Sequence, residues 1–461
     1  MSAKKPATIS TVTSRLSEYM AAAKTKALPP EVTEKAKHHI LDTLAAMISG
    51  AHLPAGVQAI RFVKGYGSAG VASVAGHATQ CGVVEAALAN GMLAHADETD
   101  DSHAPSLSHP GCAVVPAALA LAEEYAITGE HFLRAVTLGY DVGPRVTMTL
   151  GIRNFYTLGH KSTHSVAGLF GAAAAAACAA GLSAQQMRWV LDYAAQQSSG
   201  IASWQRDPDH IAKAFVFGGM PARNGAAAAM MVASGFTAVD DVFSGPDNYF
   251  LAFSPEADPN GLVDELGTRY ELLRSNIKKW SVGSPIQAPL DAIENLQKTT
   301  PFRADDVRRI SVRVGDREAR VVNNRDMPDV CLQHMLAVML VDGTISFEAS
   351  HDRGRMKDAE ILRHRRKIEL IEDEELGRRL PRREAIVEVE LTDGQKLYEH
   401  VRAVRGTSDN PMPREEVVRK CSDLIIPVLG DSNGRQLIDA VLGLEKVADM
   451  RAIGALVRAG A

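Results

Sequence analysis

The sequence predicts a mainly α protein that carries a smaller α+β portion, and three features predict it. Up to about residue 275 apolar residues recur at helical spacing, with Ala and Gly abundant at the inward positions. After Ser275 the texture changes to stretches that alternate apolar and polar, interleaved with further helical patterns. From Arg414 onward the helical pattern returns. At 461 residues the chain exceeds the usual size of one domain, so two are expected.

The first helix that the pattern defines is opened by Pro29 and Pro30. Val32, Ala36, Ile40, Leu44 and Ile48 make its buried stripe, and Gly50 closes it. Ser165 to Ala180 is almost entirely Ala, Gly and Val, the composition of a central helix whose neighbours approach closely. Ser183 and Gln186 have capping-box spacing and open the next helix. Ala226 to Ala233 ends at Gly235, a good position just past a helix end. Beyond Ser275, Arg309–Val314 and Ala385–Leu391 alternate as half-buried strands do, and Asp393-Gly394 turns the second into KLYEHVRAV. Ser284–Lys298 and Leu332–Val341 read as helices, while the densely charged run from His351 to Glu388 reads as a solvated face.

Composition excludes several functions. A net charge of -5 without a long basic run argues against a nucleic-acid binder. The five cysteines show no CxxC spacing and read as reduced, buried thiols. The N-terminus lacks the apolar stretch of a signal peptide, and no apolar run approaches the ~20 residues a membrane span needs. A cytoplasmic protein is the expectation. Gly65, Gly67 and Gly70 match GxGxxG, but LPAGVQAIRFV before them reads as a helix rather than a strand, so no dinucleotide cofactor is expected.

The chemistry concentrates in HADETDDSHAPSLSHPG, His95 to Gly111. It holds three histidines, the acids Asp97, Glu98, Asp100 and Asp101, and several hydroxyls between two apolar helices. Imidazoles beside carboxylates move protons near neutral pH, although a solvated loop with capping acids has the same composition. Three more places stand out. His160, Lys161 and His164 precede the Ala-rich helix, where a helix N-terminus suits a carboxylate, or where they simply cap it. Lys213 borders an apolar run and is either a functional cation or a snorkelling side chain. Lys278, in Ile277-Lys278-Lys279-Trp280, stands at the change of texture, placed for a cleft or a salt bridge. There is no HExxH, and His103 and His109 lie six apart in a loop with Pro105, so no metal is expected.

Taken in order, these places resemble the MmgE/PrpD family, which includes 2-methylcitrate dehydratase, cis-aconitate decarboxylase and iminodisuccinate epimerase. The resemblance spans essentially the whole chain. HILDTLAAMISG looks like the family's LLDTLG-type helix, and ANGMLAHADETDDSHAPSLSHPG is similar to its long AHA…DDTH…HPG signature. Lys213 with Gly218 and Asn224-Gly225 fits the TKPLH…NG block, and Ile277-Lys278-Lys279-Trp280 the FKPYP block. The resemblance implies that His109, Lys213 and Lys278 are active-site groups. It sets Ser102 at the family's Thr, His103 at its neighbouring His and Glu98 at an acid. His109, His103 or His164 would then donate or accept the proton, with Glu98 or Asp101 orienting an imidazole, and His164, Asp101 and His334 would line the substrate site. The resemblance departs at Ser162, where many members have His, at His334, where the family has Tyr, and at Lys279 and Ser281, where it has prolines.

The family's fold implies a large helical domain formed by both chain ends, residues 1–275 plus 408–461, with an α+β lid inserted at 276–407. It implies no organic cofactor and a homodimer. The expected function is a dehydratase-type lyase that moves a proton next to a carboxylate of a small di- or tricarboxylic acid, with epimerase or decarboxylase as the alternative. A helical binding protein without catalysis is the reading from another class, supported only by the replacements at Ser162 and His334.

Overall fold

A computed structural model describes residues 9–380 and 382–460. Most of these residues are helical, and the strands form small sheets, so the fold is mainly α. The chain divides into two compact units. Among the described residues, the first takes the chain up to residue 96, residues 100–275 and the chain from 424 onward, and the second residues 97–99 and the stretch between 276 and 423.

The first unit is built around the helix Thr163–Ala179, in which every side chain but that of His164 is buried. Gly129–Leu150, Met220–Ala233 and Gly111–Glu124 pack against it. Small residues permit the approach. A Cβ at Gly143 would stand 2.1 Å from the Ala167 carbonyl oxygen, so any larger residue there must push two helices apart. The capping box at Ser183 and Gln186 is formed in full. Pro30–Gly50 is a helix as expected, but Gly50 does more than end it. A Cβ at this position would lie 2.0 Å from the Leu93 carbonyl, so the residue is dictated by the neighbouring helix Val83–Ala94. Gly67 and Gly70 follow the helix Pro54–Tyr66 rather than a strand, which removes the context of a dinucleotide loop.

The second unit centres on a four-stranded sheet. Its order is Ile368–Asp373, Val307–Gly315, Ala385–Leu391, Lys396–Val401, with the first pair parallel and the others antiparallel. Ile310, Val312, Val314, Val387 and Val389 point into one core, to which the helices Ser284–Thr299 and Leu332–Asp342 contribute Ile286, Leu290, Ile293, Met335 and Leu336. Ile368–Asp373 corrects the reading of 351–388 as a mere solvated face. Its charged residues, Glu369, Glu372 and Asp373, mask an edge strand whose Ile368 is buried. Among the described residues no single helix is long and apolar enough to cross a membrane.

Candidate active site

The loop after helix Val83–Ala94 is fixed by its own acids. Asp100 and Asp101 are consecutive and fully buried, yet they serve different partners. Asp101 accepts hydrogen bonds from the Gly111 N–H at 3.1 Å and the Tyr140 hydroxyl at 2.6 Å, and lies 2.8 Å from His39 Nδ1. Its oxygens are thereby committed to tethering the loop to two core helices. Asp100 instead bridges two imidazoles, with Oδ2 2.8 Å from His95 Nδ1 and Oδ1 3.2 Å from His109 Nδ1. A carboxylate so placed accepts from both Nδ1–H groups. That fixes both tautomers and leaves Nε2 of His109 as the nitrogen that can exchange a proton.

His109 is one wall of an aromatic and imidazole cluster centred on Phe217. His164 stacks on the Phe217 ring with centroids 3.8 Å apart, and His95 stacks on it at 4.4 Å. His109 lies 5.3 Å from His164 and 5.5 Å from Phe217, ring to ring. Lys213, on the short helix Ile211–Ala214, holds its Nζ 5.3 Å from the Phe217 centroid and 5.8 Å from that of Trp204. Burial first, then the neighbouring His109, His95 and Lys213 charges, hold the His164 imidazole well below its usual range. Burial likewise lowers His95, although Asp100 opposes it. Both shifts favour the uncharged ring.

The departure at Ser162 has a local explanation. Its hydroxyl caps the central helix by accepting from the Ser165 N–H, and the imidazole stands two residues later at His164, in the helix's first turn. The positive end of the helix adds a further bias toward the neutral ring.

The other expected residues have hydrogen-bond partners or burial of their own. His103 is buried with both ring nitrogens engaged, Nδ1 2.7 Å from Ser106 Oγ and Nε2 3.2 Å from Glu271. Arg269 and Arg274 also bind Glu271. Burial alone would raise this acid, but its partners hold it at about 2. Ser102 is half-buried beside His103 in a two-residue strand.

Glu98, Lys278 and His334 belong to the second unit. Lys278 donates to the Glu98 carbonyl at 2.8 Å and approaches its carboxylate at 3.4 Å. Lys420 donates to the Thr99 carbonyl at 3.0 Å. His334 is fully buried on the helix Leu332–Asp342, and neither ring nitrogen has a hydrogen-bond partner. Burial and then the Arg365 charge lower it to about 4.

His351 Nε2 stands 2.9 Å from Asp97 Oδ2. Burial disfavours its charge, but the bond to Asp97 and that carboxylate's charge outweigh burial and raise it to about 9 from 6.5. A histidine raised on folding stabilises fully below its unfolded value and loses that contribution as pH climbs through the folded one. The melting temperature of the wild type is therefore expected to fall more between pH 6.5 and 9.5 than that of His351→Gln. Equal slopes in a thermal melt series would show the pair to be without effect.

Sequence reasoning passes over His95, Asp100, Trp204 and Phe217. His95 and Asp100 stand inside the reactive run, and only the three-dimensional pairing singles them out. His95, Asp100 and His109 each offer a donor atom within 4.8 Å of the others, the kind of set a divalent cation takes. Their positions at 95, 100 and 109 match no short ligand motif, so local spacing could not suggest it.

Comparison with known proteins adds a second line of information. Residues 14–262 match the MmgE/PrpD N-terminal domain and residues 280–446 the MmgE/PrpD C-terminal domain. The cis-aconitate decarboxylase-like protein of Aspergillus oryzae is 25% identical over 97% of each chain. The cis-aconitate decarboxylase of Aspergillus terreus is 26% identical over 95% of this chain and 94% of its own. That of Homo sapiens is 26% identical over 94% and 91%.

Proposed function

The chain belongs to the MmgE/PrpD family, and from that premise we propose that it is an enzyme acting on a small di- or tricarboxylic acid, a lyase that needs no organic cofactor. The observation that carries the reading is the His95–Asp100–His109 relay, set against Lys213 around one aromatic ring. Decarboxylation is supported at least as well as dehydration, since relatives matched over 97% and 95% of the chain are named a cis-aconitate decarboxylase-like protein and a cis-aconitate decarboxylase.

Both reactions make the same demand. In decarboxylation the C–C bond to one carboxylate breaks, CO2 leaves, and the electron pair remains on carbon until a proton quenches it. In dehydration the proton next to a carboxylate is removed, and the neighbouring hydroxyl departs as water after protonation. Either way, negative charge builds beside a carboxylate and one imidazole handles a proton. Lys213 is the cation that steadies this charge, since a fixed ammonium in a partly buried site acts far more strongly than one in water. His109 transfers the proton, oriented by Asp100, and the neutral His164 is its partner. Asp101 anchors the loop, and His103, with both nitrogens occupied, positions its neighbours. Lys278, Glu98, Ser102 and His334 are carried over from the family motifs as proposed substrate-site groups.

The test is incubation with cis-aconitate, 2-methylcitrate, citrate and iminodisuccinate in deuterated water, followed by NMR. Deuterium incorporation into product with release of CO2 identifies the decarboxylase, and loss of water the dehydratase. No turnover or exchange on any of the four would remove the support for this chemistry.

The relay also has a direct rival in metal binding, because the same atoms cannot serve both uses. Activity is expected to survive exhaustive dialysis and EDTA. Loss on chelation and recovery with one divalent metal would reassign His95, Asp100 and His109 as ligands.

A further inference from the structure

We propose that Trp204 contacts the substrate, its indole N–H donating to a carboxylate that the Lys213 ammonium and His164 hold from the other sides. The inference rests on the reading above and assigns one corner of the same site.

Trp204 Nε1 is buried and has no hydrogen-bond partner. An indole N–H can only donate, so it is a donor available to an acceptor that a ligand brings. His164 Nδ1 is buried and unpartnered in the same way. The two rings meet edge to face with centroids 5.5 Å apart, and both contact Phe217, at 4.7 Å for Trp204 and 3.8 Å for His164. Lys213 Nζ lies 5.8 Å from the Trp204 ring and 5.3 Å from that of Phe217. With its proton on Nδ1, His164 offers a second ring N–H, and two ring donors with a cation around one phenyl ring suit an anionic acceptor with several lone pairs, such as a carboxylate.

The backbone holds this corner in place. Ser162 N–H donates to the Gly200 carbonyl at 3.0 Å and Ala202 N–H to the His160 carbonyl at 2.9 Å. The turn bearing Trp204 is thereby laced to the segment that leads into His164's helix. The backbone segments that carry the two rings are thus held side by side.

Trp204→Phe keeps an aromatic ring and removes the donor. A benzothienylalanine at 204 keeps the indole shape with sulfur in place of N–H. Binding of cis-aconitate and of malonate is measured by calorimetry for both, beside the wild type and Lys213→Met, together with KM and kcat on whichever acid turns over. Thermal melts check that each variant folds. Both Trp204 variants are expected to weaken carboxylate binding by roughly 10- to 100-fold, the usual worth of a hydrogen bond to a charged group. KM should rise by a similar factor and kcat change less. If Lys213→Met loses binding while both Trp204 variants bind as the wild type does, Trp204 only packs and the inference falls, with the functional reading intact. If the wild type binds neither acid, the functional reading fails and this assignment fails with it.

Discussion

Lys213→Met is expected to lower kcat/KM by roughly two to four orders of magnitude, the ~3–5 kcal/mol typical when a partly buried charge loses its counterpart. The substitution removes the ammonium and leaves a side chain of similar length against Phe217, so the packing of the Ile211–Ala214 turn persists. Lys213 also lowers the proton affinity of His95 and His164. Its loss is therefore expected to move the acid limb of the pH–rate profile upward as well as to reduce the rate. Steady-state kinetics across pH, with a thermal melt as control, checks both parts. A variant that kept its kcat/KM within about threefold, under ~1 kcal/mol, would exclude Lys213 from the charge-stabilising role.

His109→Gln carries the second largest effect, and it should fall on kcat. A glutamine can still donate to Asp100, so the loop keeps its anchor at the His109 position while the group that exchanges a proton is gone. General acid–base catalysis contributes about 10²- to 10⁴-fold, and that is the expected reduction. KM should change little, because a proton-transfer group acts in the transition state more than in binding. Full kcat with a raised KM would make His109 a binding residue and pass proton transfer to His164, whose ring lies 5.3 Å away.

The two neighbouring acids show how far the chain can be read directly. Asp100 and Asp101 are indistinguishable by composition, and the sequence names Asp101 or Glu98, not Asp100, as the acid that orients an imidazole. In the structure Asp100 joins the imidazoles while Asp101 faces His39 and Tyr140, residues 62 and 39 positions away. Consecutive residues in non-helical chain point to different sides, so one position decides which acid meets the reactive imidazoles. Phe217 and Trp204 carry no signal at all, since an aromatic residue near an apolar run is ordinary core composition. The strand Ile368–Asp373 is obscured for a related reason. It is an edge strand with charged side chains, and only its pairing with Val307–Gly315 makes it a strand.

What the sequence determined by itself was everything set by local period and local chemistry. That includes the helices with their caps at Ser183 and Gln186, the strand Ala385–Leu391, and the family, legible in one long polar signature. It also placed the candidate side chains of His109, Lys213 and His164 within short, readable blocks. Tertiary structure alone decided which acid orients which imidazole, that Ser162 caps a helix while His164 supplies the ring, and that His103 spends both nitrogens on internal partners. Periodicity and capping are fixed within a few residues by backbone geometry. Hydrogen-bond partnership depends on direction and on distances of about 3 Å between groups far apart in the chain, and only the packed fold sets those.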